Sequence, residues 1–211
     1  MVLKNFSLSI ILLCSVLFLK AIDNDKLHGD LVSKYDQIKT FQADVRQTSY
    51  YNELDIEKVS EGKIYYTDEK LALSYSKPAN EKIIFIDNVI NIYQAEQNIL
   101  IKTAADSSLV TLNMGYFIKH YWDKETAVVT SLENNEYLIE LKLVGEYALS
   151  NIQKVELRIN LRSLLVERIS YSDENLNQVT LELSNILLNE DIPSSSWDLD
   201  IKDDTQIVDY R

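Results

Sequence analysis

Apolar and polar residues alternate along most of the chain with the period of two that marks strands with two different faces. Leu71, Leu73 and Tyr75 alternate with Ala72 and Ser74, and Val179, Leu181 and Leu183 alternate with Gln178, Thr180 and Glu182. Between residues 61 and 94 the pattern predicts four consecutive strands, 63–66, 71–75, 82–86 and 89–93, separated by short polar turns. Asp87-Asn88 sits where a two-residue hairpin turn falls, and Asp and Asn tolerate the positive φ that such a turn demands. Further strands are predicted at 137–143, 155–160 and 164–171, with turns at Asn134-Asn135, 160–163 and 173–177. Ten or eleven strands joined by short loops make an antiparallel meander.

Two segments follow a helical period instead. Residues 25–39 carry Leu27, Leu31, Tyr35 and Ile38 on one face, with Gly29 weakening the helix slightly. Residues 106–121 open on Asp and Ser, good N-caps, and space Leu109, Leu112, Met114, Phe117 and Tyr121 mostly as a helix does. Both are expected to cover an open face of the curled sheet, with Trp122 as a buried anchor for the second. Strands such as 83–86 and 99–101 are apolar on both sides, a pointer to contact surface beyond the core.

The order of these features, with Phe41, Ala43, Val45 and Gln47 in an F-x-A-x-hydrophobic-x-Q strand, resembles the periplasmic outer-membrane lipoprotein carrier (LolA) family. Gly62, the strand 71–75, Pro78, the strand 83–86 and Asp87-Asn88 take the family's successive places. Asn189, Ile192, Pro193, Trp197 and Leu199 resemble its closing segment. The resemblance implies an incomplete, half-open antiparallel β-barrel of about eleven strands under a helical lid. It also implies a non-enzymatic carrier that shields lipoprotein acyl chains in a hydrophobic cavity between the inner and outer membranes. A related half-barrel lipid-binding protein or envelope-stress sensor is the alternative.

The implied partners are the acyl chains, an inner-membrane ABC lipoprotein-releasing transporter and an outer-membrane acceptor, with no cofactor. Leu71, Leu73, Tyr75, Ile84, Ile86, Ile90 and Ile92 are expected on the cavity wall, and Leu109, Leu112 and Phe117 on the lid. A Leu71→Glu change is expected to impair cargo handling and leave the fold intact. The chain departs from the family at Asp68-Glu69-Lys70, where well-studied carriers place an Arg-Pro pair implicated in lipoprotein release.

Composition narrows the setting. Residues 1–21 join Lys4 to an apolar run of about fourteen residues, short of the roughly 20 that span a bilayer, and read as a secretory signal peptide. The remaining 22–211 is expected to form one domain, monomeric and periplasmic. Cys14, the one cysteine, leaves with the signal, so no disulfide or thiolate metal site is expected. The formal net charge of −12 becomes −14 once Lys4 and Lys20 are removed, which argues against nucleic acid as a partner. His28 and His120 are read as solvated, and Asp198, Asp200, Asp203 and Asp204 lack the spacing of a calcium loop. No nucleophile, phosphate-loop or zinc-hydrolase motif occurs, so catalysis is not expected.

Overall fold

The computed structural model describes residues 23–104, 115, 118–119, 121–122, 126–142 and 152–211. Residues 1–22, Leu109, Leu112, Phe117 and His120 therefore lie outside the described residues, as does most of the segment expected to form the second helix.

Among the described residues, helix α1 (Asn24–Tyr35) leads into twelve strands. The first six are β1 (Thr40–Tyr51), β2 (Ile56–Thr67), β3 (Lys70–Lys77), β4 (Glu81–Ile86), β5 (Val89–Gln94) and β6 (Ile99–Ala104). The others are β7 (Val128–Ser131), β8 (Glu136–Lys142), β9 (Ile152–Asn160), β10 (Leu165–Asp173), β11 (Gln178–Leu188) and β12 (Gln206–Asp209). They form a single sheet ordered β12-β6-β5-β4-β3-β2-β1-β11-β10-β9-β8-β7. Its two ends, β12 and β7, do not pair, so the barrel stays open. The neighbours within β1–β6 and β7–β11 are antiparallel, as expected. β12 instead runs parallel to β6, pairing Ile207 with Leu100, a feature that periodicity did not reveal.

Turn chemistry explains the hairpins. Asp87 and Asn88 have φ of 53° and 59°, and Asn134 and Asn135 have 63° and 60°, which places both pairs in the left-handed region. At α1, Asp23 caps the helix by accepting from the Lys26 backbone N–H at 3.0 Å.

The register gives the sheet two unlike faces. On the inner face, Ile64, Leu73, Ala43, Leu183, Ile169, Leu157 and Ile139 belong to one buried cluster that also takes in Leu27 and Leu31 of α1. Tyr35 reaches β10, where its hydroxyl accepts from the Val166 N–H at 2.9 Å. Among the described residues, Trp122 and Ile118 add to this cover and are tied to α1 through His28. The ring of His28 stacks on Trp122 with centroids 5.0 Å apart, and its Nε2 lies 3.0 Å from the Ile118 carbonyl oxygen. His28 is thus a packing residue, not the solvated side chain expected, whereas Trp122 is buried as expected.

The outer face of β1, β2 and β8–β11 is a lattice of ion pairs, among them Arg46–Glu182 at 3.2 Å and Lys154–Glu156 at 2.7 Å. Pairs this exposed add little stability each. Over β3–β6 the outer face is different: Ala72, Ile84, Tyr93 and Leu100 are buried there. The C-terminal segment crosses it. Asn189 accepts from the Lys39 N–H, Lys82 Nζ donates to the carbonyls of Ser195 and Asp198, and Asn98 Nδ2 donates to Asp204. Burial of Lys82 under this strap pushes its ammonium below the usual lysine range.

Candidate functional site

Strand pairing decides which apolar side chains share the inner wall. Leu73 pairs with Ile83, Ile83 with Ile92, and Ile92 with Ile101. Leu71 pairs with Phe85, and Phe85 with Ile90. Of the residues expected on the cavity wall, Leu71, Leu73, Tyr75, Ile90 and Ile92 therefore share the inner face. Ile84 and Ile86 do not. Ile84 pairs with Ala72 and Asn91, Ile86 with Lys70 and Val89, and both point to the outer face. The inward residues of β4 are Ile83 and Phe85. The expectation failed because β4 is apolar on both sides, so parity is not readable within it. Its outer side is apolar because the strap needs something to pack on.

Burial along this wall is graded. Ile139, Leu141, Val155, Leu157 and Ile159, on the β8–β9 side, are wholly excluded from solvent. Leu71, Leu73 and Tyr75 are buried as part of the same cluster. Ile83 and Phe85 are half-buried at its margin, and Ile92, Ile99 and Ile101 are half-buried beyond it. The apolar wall thus continues past the part that α1, Ile118 and Trp122 close.

One end of the wall is polar. Tyr75 donates from its hydroxyl to Gln47 Oε1 at 2.5 Å, and Gln47 Nε2 donates to Ser49 Oγ at 3.0 Å. Tyr171 belongs to the same end, because Ser49 pairs with Val179 and Val179 with Tyr171. Glu81, whose Cα pairs with that of Tyr75, accepts from Gln94 Nε2 at 2.9 Å. In the sequence Gln47 stands out only as the end of the F-x-A-x-hydrophobic-x-Q strand, and Ser49 and Tyr171 do not stand out at all. Gln47 and Ser49 could have been found, since they continue the inward series Phe41, Ala43, Val45 with polar side chains.

Burial raises the phenols of Tyr75, Tyr171 and Tyr35, that of Tyr171 to about 12. Between the ordinary tyrosine value of 10.0 and the folded values, the unfolded chain releases protons that the fold retains. Stability is therefore intact below about pH 10 and falls above it, by about 1.4 kcal/mol per pH unit for each such phenol. Urea midpoints measured from pH 8 to 11.5 are expected to hold level and then drop, with a shallower drop in Tyr171→Phe. A midpoint unchanged at the alkaline end would contradict this.

No protein-family model and no curated protein sequence matches the chain. Solved structures do. An uncharacterized conserved protein from Thermus thermophilus is similar at a TM-score of 0.53 and 14% identity, over 88% of this chain and 99% of that one. A LolA superfamily protein from Nitrosomonas europaea is similar at 0.44 and 14%, over 81% and 97%. The Mycobacterium tuberculosis lipoprotein LppX is similar at 0.45 and 11%, over 81% and 98%. At these identities the likeness to the Thermus protein concerns the fold alone.

Proposed function

We propose that the chain is a carrier, not an enzyme, which holds the acyl chains of lipoproteins against the inner face of its open sheet. In this reading it works in the periplasm between an inner-membrane ABC transporter and an outer-membrane acceptor. The observation that carries the reading is the graded wall: Ile83, Phe85, Ile92 and Ile101 extend an apolar face beyond the closed core while remaining half-buried. Covering such a face with alkyl chain yields roughly 0.8 kcal/mol per CH₂ buried. The F-x-A-x-V-x-Q strand and the apolar run within residues 1–21 support the same reading.

A second reading, a related half-barrel that carries free lipid, is favoured by one observation. Lys70 occupies the turn where the family's Arg-Pro would stand, and its Nζ lies over the Trp197 ring at 5.8 Å, on the outer face. A cation held there by the strap faces away from the wall. Native mass spectrometry of protein isolated from its own periplasm tests both readings. Bound triacylated protein supports the first, and bound free lipid the second. Recovery of the protein with neither, across several preparations, would argue against a carrier.

A further inference from the structure

The polar end of the wall holds hydrogen-bond donors that the fold does not use. Ser49 is buried, and its Oγ accepts from Gln47, which leaves its own O–H without an acceptor among the described residues. Gln47 Nε2 spends one of its two hydrogens on that bond. The Tyr171 hydroxyl has no hydrogen-bond partner among the described residues, although the ring packs against the core cluster. Tyr171 and Gln47 are half-buried, so water answers these donors in the free protein and a ligand acceptor can take its place.

The charge around them limits what can answer. Among the described residues, no lysine or arginine is buried at this end. Lys58, whose Cα pairs with that of Ser49, is exposed. Glu81 stands on the same end, and its carboxylate helps to hold the Tyr75 phenol protonated. Hydroxyl and amide donors beside a carboxylate, with no buried cation among the described residues, suit a neutral acceptor and disfavour an anion.

Building on the carrier reading, we propose that Ser49, Gln47 and Tyr171 form a subsite for the ester carbonyl oxygens of a glyceride-type ligand. The strands then fix the ligand's direction. From Tyr75 and Glu81 the inner face steps to Leu73, Ile83 and Ile92, and then to Leu71, Phe85 and Ile90, at roughly 6–7 Å per step. The ester neck sits at the Ser49 end, and the alkyl chains run toward Leu71 and Phe85.

An ester lipid and its ether analogue separate the subsite from the wall, because an ether keeps the chains and loses the carbonyls. Dipalmitoylglycerol and dihexadecylglycerol would compete against a fluorescent C16 fatty acid on the purified protein. The ester is expected to bind about tenfold more tightly, the effect of one or two neutral hydrogen bonds. Tyr171→Phe and Ser49→Ala should each bring that ratio toward one, whereas Ser184→Ala on the outer face should not. Circular dichroism verifies that each variant is folded. Equal affinity of the two lipids for the wild type overturns the subsite and leaves the carrier reading standing. A preference for dipalmitoyl phosphatidate over the diacylglycerol also overturns it, in favour of an anion held by Lys58. Failure of every lipid to displace the probe overturns both.

Discussion

Replacing Gly62 by alanine is expected to cost about 3 kcal/mol of stability or to prevent folding outright. A Cβ at this position would lie 2.1 Å from the Ser74 carbonyl oxygen and 2.7 Å from the Tyr75 Cα. Both are backbone atoms of β3, so no side chain can rotate away. The β2–β3 pair would have to part where its register already shifts, between Glu61 and Gly62. Overpacking of a close site typically costs about 1–3 kcal/mol, and lost ladder bonds add to that. For a chain of this size the change amounts to a fall of about 6–12 °C in the midpoint of thermal unfolding. Tyr75 would move with the β3 backbone and lose Gln47, so the polar end of the wall should fail together with stability. Gly29 provides the contrast. It lies inside α1 with nothing within 4 Å of its added Cβ, so Gly29→Ala should stabilise by about 0.5–1 kcal/mol. A Gly62→Ala protein that melts with the wild type would show that β2 and β3 do not approach this closely.

The meander was legible because its strands are two-faced and its turns carry their own chemistry. Alternation through Leu71, Leu73 and Tyr75, ended by a turn at Asp87-Asn88, leaves little else for residues 61–94 to do. The helix before β1 was legible for the same reason, since Leu27 and Leu31 need a common face and both are buried. What failed was parity in β4, and the cause lies more than a hundred residues downstream. The strap that buries Ala72, Ile84, Tyr93 and Leu100 has no periodicity of its own, and it fixes itself through backbone carbonyls that accept from Lys82. Such contacts leave no pattern in the sequence of either partner. The parallel pairing of β12 with β6 was hidden likewise, because four residues of strand carry too short a signal. The stacking of His28 on Trp122 joins residues far apart in sequence, and a lone histidine on a helix gives no hint of it. Five of the seven wall residues expected in β3–β5 do share one face, and three lid residues fall outside the described residues.

The corrected parity makes the strongest functional prediction. Ile92→Glu and Ile86→Glu introduce the same side chain at two half-buried isoleucines of adjacent strands, one on each face. In the proposed carrier the carboxylate at Ile92 would enter the path of an alkyl chain lying on Ile83 and Ile101. Loss of contact with about three CH₂ groups removes about 2–3 kcal/mol, so acyl-probe affinity should fall roughly 30- to 150-fold. At Ile86 the carboxylate stands on the outer face beside the Asp87-Asn88 turn, and affinity should stay within about twofold of wild type. Leu71 is a poorer place for this test than the sequence suggested, because it is buried in the core cluster and a charge there should unfold the protein before it reports on cargo. Titration of a fluorescent acyl probe into each variant, with thermal melts run in parallel, gives both readouts. Equal loss at Ile86 and Ile92, or none at Ile92, would mean that the acyl chains are not held on the inner face of β4 and β5.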